Sequence, residues 1–137
     1  MLSSQTIPWE SKYKIGIKII DIQHRKLFDI VNKFLELEDE KCTKEDVRMT
    51  LHELNDYTKI HFKEEEEYMA SINFGYLKLH KKLHNDIIDS FAEVLRTTAK
   101  LGVLKSKIRL IAKRIFVHHV VTEDSKMKLF KVKEEKK

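Results

Sequence analysis

The chain has 137 residues and a formal net charge of +5, from 27 Lys and Arg against 22 Asp and Glu, with only three Gly, one Pro and one cysteine, Cys42. That length suits a single domain, spanning 1–137, that buries a core without disulfides or a structural metal. Few helix breakers beside abundant Leu, Ile, Lys and Glu exclude a sheet-rich fold and predict an all-α one.

Cys42 has no second cysteine to pair with, and the opening MLSSQTIPWESKYKIG lacks the charged and then apolar order of a secretory signal. Charged residues interrupt every apolar run well short of the ~20 residues that cross a bilayer. A cytoplasmic protein with no membrane association is expected. Three isolated glycines allow no phosphate-cradling loop or dinucleotide fingerprint, and no GxSxG elbow occurs.

Charge is unevenly spread. Residues 96–137 hold 13 basic and 4 acidic side chains, a net +9, which leaves −4 for residues 1–95. The basic end, with Lys126, Lys128, Lys131 and Lys133, could attract an acidic protein partner or, less readily, nucleic acid, but with no aromatic or Arg-rich reading surface beside it a solvated helix end with a frayed charged tail is the favoured reading.

Residues 1–18, with Pro8, Trp9 and Gly16, read as an irregular arm. A first helix is predicted over about 20–38, where Ile20, His24, Leu27, Phe28, Val31 and Leu35 recur at spacings of three and four. The acidic run from Glu36 to Glu40 ends it, and Thr43 with Asp46 forms a variant capping box. The second helix, about 44–70, places Val47, Leu51, Leu54, His61, Glu65, Tyr68 and Met69 near one side, and Asn73 and Gly75 break it. A third runs to about residue 100 with Leu77, His80, Leu83, His84, Ile87, Ile88, Phe91, Val94 and Leu95 inward, and Gly102 is expected as its stop. The fourth starts near residue 104 with Leu104, Ile108, Ile111, Ala112, Ile115 and Phe116 inward. Short connections make neighbours antiparallel, which predicts an up-down-up-down four-helix bundle. The tail KVKEEKK, about 131–137, is expected to be mobile.

Five histidines and two carboxylates fall on these inward faces in a fixed order: His24, His61 with Glu65, His80 with His84, and His119 with Asp124. The two pairs at i,i+4 each project both side chains from one helix face. Buried carboxylates without a basic neighbour cost several kcal/mol, and no Lys or Arg shares their stripes. Divalent cations solve that problem. Seven donors exceed one tetrahedral zinc, and imidazoles with bridging carboxylates suit two first-row ions with one open position for a small ligand.

The last pair is less simple. His119 and Asp124 lie five apart, about 140° on an ideal α-helix, so Glu123 is the easier partner by spacing, whereas a π-bulge would favour Asp124. Spacing leaves both open. His118 and His52 are read as exposed.

Through WESKYKIGIKIIDIQHRKLFDIVN, HFKEEEEYM, HKKLH and HHVVTED the chain resembles the hemerythrin family, in its single-domain bacterial form, from Trp9 to about Met127. The resemblance implies a non-haem diiron centre with an oxo or hydroxo bridge. It implies that His80, His84 and His119 hold one iron, that His24 and His61 hold the other, and that Glu65 and Asp124 bridge them. It further implies reversible O2 binding as a hydroperoxide at the two-histidine iron, for storage, delivery or scavenging, with Leu27, Phe62, Ile115, Phe116 and Val120 as the apolar O2 pocket. The family often carries Trp where this chain has Ile115. Because all five pocket positions are apolar, binding rather than catalysis is expected, the alternative being a diiron redox enzyme or sensor acting on peroxide, nitric oxide or ferrous iron.

Overall fold

A computed structural model describes residues 6–127, apart from the side chains of Phe116 and Val117. Four helical elements make up the bundle: α1 Lys18–Leu35, α2 Lys44–Ser71, α3 Leu77–Arg96 and α4 Leu101–Lys113. α4 runs without a break into a π-helical segment, Arg114–Glu123, and then a short 3₁₀ turn, Asp124–Lys126. α1 packs on α2, α2 on α3, and α3 and α1 on α4, so each helix closes against its chain neighbour. Among the described residues no helix is long and apolar enough to cross a membrane.

Most of the expected inward stripes form the core, while Val47, Tyr68, Leu77, Ile88 and Leu95 are only partly buried at its edge. Leu27, Phe34, Leu35, Leu54 and Met69 have no exposed surface, and Phe91, Ile108 and Ile115 have almost none. Each such side chain contributes roughly 1.5–3 kcal/mol by leaving water. The capping box starts α2 as its sequence predicts: the Asp46 N–H donates to Thr43 Oγ1 at 3.0 Å and the Thr43 N–H to Asp46 Oδ2 at 2.8 Å.

The break after α2 is a Schellman turn. Asn73 takes a left-handed φ of 54°, its N–H reaches Ala70 O, and the Phe74 N–H reaches back to Met69 O at 2.9 Å. Asparagine tolerates that φ better than most residues with a Cβ. The turn seats Phe74, 4% exposed, in the core.

Gly102 does not stop α3. That helix ends at Arg96 because Thr97 is already extended, and Gly102 lies in the first turn of α4. Glycine favours helix ends without requiring one, and here the extended backbone at Thr97 ends α3 before Gly102 is reached.

The arm is strapped antiparallel along α1. Asn32 accepts from the Ile7 N–H at 2.7 Å and donates to Ile7 O at 2.9 Å, as a backbone strand would. Trp9 packs edge-on against Tyr13 and Phe28 beneath the Arg25 guanidinium. Asp21 then accepts from the N–H groups of Ile15 and Gly16, the latter at a φ of 84° that glycine permits. Ser11–Tyr13 also touches the π segment, so the arm spans the seam between the first and last elements. The expected basic tail, 131–137, with Lys128, Lys131 and Lys133, lies outside the described residues.

Candidate metal centre

All seven predicted residues meet at one point. His24 comes from α1, His61 and Glu65 from α2, His80 and His84 from α3, and His119 and Asp124 from the last element, and each is at most 4% exposed. Their donor atoms form two overlapping groups, one of Glu65, His80, His84, His119 and Asp124 and one of His24, His61 and Glu65, each within 4.8 Å. His52 and His118 stay on the surface, as expected.

The two carboxylates divide the histidines between them. Glu65 Oε2 faces His24 Nε2 at 3.2 Å and His61 Nε2 at 3.1 Å, while Glu65 Oε1 faces His84 at 3.1 Å, His80 at 3.8 Å and His119 at 3.9 Å. Asp124 Oδ1 faces His80 at 2.5 Å and His119 at 3.1 Å, and its Oδ2 faces His24 at 3.2 Å. Each carboxylate thus spans a three-histidine side and the His24 side.

The π segment brings Asp124 in. Its N–H reaches His119 O, a bond across five residues that widens the turn and cancels the angular offset of an α-helix. Asp124 has no exposed surface, whereas Glu123 turns outward to pair with Lys126 at 3.0 Å. The choice that spacing leaves open falls to Asp124.

Two neighbours set ring tautomers, and neither stands out in the sequence. His84 Nδ1 lies 2.7 Å from Glu66 Oε2, and His61 Nδ1 lies 2.8 Å from Gln23 Oε1, with Gln23 in turn donating its Nε2 to Glu64. Both oxygens only accept, so both rings carry the proton on Nδ1 when neutral. Their bare Nε2 atoms then point at Glu65 oxygens from 3.1 Å. Lone pairs so opposed repel unless a cation or a second ring proton stands between them. Glu66 is hidden in a run of four glutamates, and Gln23 is marked only by preceding His24. Phe62 adds packing, stacking on His84 at 3.8 Å with the rings 3° from parallel.

Without a metal the cluster must hold protons instead. Burial works to lower the pKa of His24 and of His119, but Asp124 and Glu65 outweigh it and raise them to about 9 and about 10. Burial works to raise Glu65, yet the charge of His61 and hydrogen bonds from His119, His24 and His61 hold it well below the usual carboxylate range. Asp124 is likewise held low by His119 and His24 against burial and the Glu65 charge. Asp124 Oδ2 still has no hydrogen bond of good geometry, and His84 Nε2 and His119 Nε2 crowd to 2.8 Å. Divalent cations fit this donor set: they neutralise both carboxylates and accept the converging nitrogen lone pairs.

Of the predicted apolar positions, Leu27, Phe62, Ile115 and Val120 are buried, and the Phe116 side chain lies outside the described residues. A separate cavity of about 270 Å³ reaches the outer edge of His119, lined by Leu83, Ile87, Arg114, His118, Thr122 and Glu123.

Residues 15–129 match the family model for the hemerythrin HHE cation binding domain. The chain is similar to a bacteriohemerythrin of Campylobacter jejuni, 29% identical over 110 residues that cover 80% of this chain and 83% of that one. It is also similar to bacteriohemerythrins of Clostridium acetobutylicum, 42% identical over 83 residues covering 58% of this chain and 64% of the relative, and of Pseudomonas aeruginosa, 28% identical over 120 residues covering 85% and 76%. The chain therefore belongs to the hemerythrin family, as an all-α, cation-binding four-helix domain.

Proposed function

We propose that the cluster holds two iron ions and that the protein binds O2 reversibly. The observation that carries this reading is the division of donors, with His80, His84 and His119 on one side, His24 and His61 on the other, and Glu65 and Asp124 spanning both. Three nitrogens against two, with the same two carboxylates shared, leaves the His24 and His61 side one protein donor short. That is where a small ligand would bind. When bound, a ferrous pair supplies the open coordination position and the two electrons that reversible O2 uptake requires.

The chain's own residues hold and insulate that pair. Glu66 and Gln23 fix the Nδ1–H tautomers of His84 and His61 and so aim Nε2 inward. Leu27, Phe62, Ile115 and Val120 are all apolar and at most 4% exposed. They offer no proton and keep water from the interior, which favours release of O2 over its reduction. Thr58, buried on the same helix as His61, spends its hydroxyl proton on Leu54 O at 2.7 Å and has none to give.

The test is anaerobic reduction of iron-quantified protein, followed by visible absorption during O2 addition and removal by argon. An absorption band that appears with O2 and disappears under argon, at about two irons per chain, is expected. Irreversible oxidation with steady consumption of a reductant would instead indicate a redox enzyme acting on peroxide, nitric oxide or ferrous iron. Failure to bind iron would overturn the reading.

A further inference from the structure

A ferrous site that meets O2 drifts to the ferric state, in which it no longer takes up O2, so a protein of this function needs an electron source. The start of α3 has the features of an entry point. His80 packs edge-on against Phe74 at 5.6 Å, and Phe74 packs edge-on against Tyr76, again at 5.6 Å. Phe74 is buried, while Tyr76 is 47% exposed. Three rings thus lead from the surface to a side chain of the metal cluster.

The surface at the outer end is basic. Tyr76, Lys78, Leu79, Lys81, Lys82 and Asn85 line an open hollow of about 620 Å³. Residues 75–85 contain three lysines and no acid, and Lys126 adds a fourth ammonium 4.8 Å above the Tyr76 ring. The acids beside it are already engaged or at its edge: Glu123 pairs with Lys126, Glu66 is held by His84, and Asp86 lies beyond Asn85 at the far end. Leu79, 45% exposed, and Tyr76 form an apolar centre inside the lysine rim. An aromatic and aliphatic centre with a charged rim is the anatomy of a protein interface, and rim charges of one sign steer a partner of the other.

We propose that this face docks a small acidic one-electron carrier protein, which returns electrons to the metal cluster by way of Tyr76, Phe74 and His80. The proposal rests on the diiron reading of the cluster. Each encounter oxidises one reduced carrier by one electron and reduces one ferric ion by one. Two encounters restore the pair, and no covalent bond forms between the proteins.

The test uses the full chain loaded with iron and oxidised, with a reduced acidic [2Fe–2S] ferredoxin as the probe and a small neutral reductant as the control. Anaerobic stopped-flow absorption is expected to show a second-order rate that falls steeply with added salt, as attraction between opposite charges is screened. The triple variant Lys78→Glu, Lys81→Glu, Lys82→Glu is expected to lower that rate at least about tenfold while leaving the rate with the neutral reductant unchanged. Tyr76→Ala should slow transfer at saturating ferredoxin. Binding is read independently by amide shifts of labelled protein titrated with oxidised ferredoxin, expected to cluster at residues 75–85 and to vanish in the triple variant. Iron content and reduction by the neutral reductant report on the metal reading separately. If the protein holds iron and accepts electrons from the small reductant, yet ferredoxin reduces wild type and the triple variant alike, or reduces neither, the docking proposal is wrong.

Discussion

On the proposed two-ion reading, replacing Glu66 is expected to weaken binding of the ion beside His84 and to spare the other. His84 is 1% exposed, and its Nδ1–H has Glu66 Oε2, 2.7 Å away, as its acceptor. Glu66→Leu leaves that N–H unsatisfied in the interior, and loss of such a supporting partner typically costs 10–100-fold in metal affinity, or about 1.4–2.7 kcal/mol. The Glu66 side chain is 24% exposed, so water replaces part of the lost bond and the effect belongs near the lower end, about tenfold. Glu66→Gln keeps an acceptor but not the charge. Because a charge-assisted hydrogen bond is roughly twice as strong as a neutral one, about half the free energy remains and affinity falls only about threefold. The Phe62 stack, worth about 0.5–1.5 kcal/mol, holds the ring plane in every variant but cannot choose its tautomer. The assay is anaerobic competition of Co²⁺ between the protein and a chromophoric chelator, with Glu67→Gln, an exposed neighbour, as the control. If Glu66→Leu binds both ions within twofold of Glu67→Gln, His84 is held by packing alone and the hydrogen bond plays no part.

Asp124→Ala is expected to abolish binding of two ions per chain, whereas Glu123→Ala, which removes only the outward pair with Lys126, keeps both, as measured by metal analysis after gel filtration. Asn32→Leu removes both hydrogen bonds to Ile7, each worth about 1 kcal/mol, and should lower Tm by roughly 3–10 °C in calorimetry, with an unchanged Tm showing that the arm is not strapped there. Tyr13 should titrate above the ordinary tyrosine range in ultraviolet difference spectra, because burial and its bond to Glu10 at 2.8 Å raise it to about 12. Since the folded pKa lies above the unfolded value near 10, its contribution to stability is whole below about pH 10 and lost as pH rises through about 12. Glu10→Gln should bring that titration down, and no change would show that Glu10 has no influence on it.

Much of the molecule was legible along the chain because helical periodicity is a local property. The stripe through Ile20, His24, Leu27 and Val31 identifies both a helix and its buried face, and the i,i+4 spacing of His61 with Glu65 and of His80 with His84 puts each pair on one side whatever packs against it. Thr43 and Asp46 lie within one turn, and their capping box forms as their spacing predicts. Gly102 misled because glycine marks a possible helix end without requiring one, and the true end at Arg96 follows from the extended backbone at Thr97.

Sequence alone determined the four-helix pattern, the inward histidines and carboxylates, and the resemblance that connects them, since each depends on residues a turn or two apart. Spacing left Asp124 and Glu123 both open and only the resemblance pointed to Asp124; the tertiary structure shows how it reaches the cluster, through a π turn whose bond to His119 O spans five residues. It alone showed Gln23 and Glu66 behind two of the histidines, and Phe74 and Tyr76 leading outward from a third. Gln23 lies 38 residues from His61, and Glu66 lies 18 from His84. Contacts over such separations depend on how the helices pack, and one helix's period carries no information about which residue of another will face it.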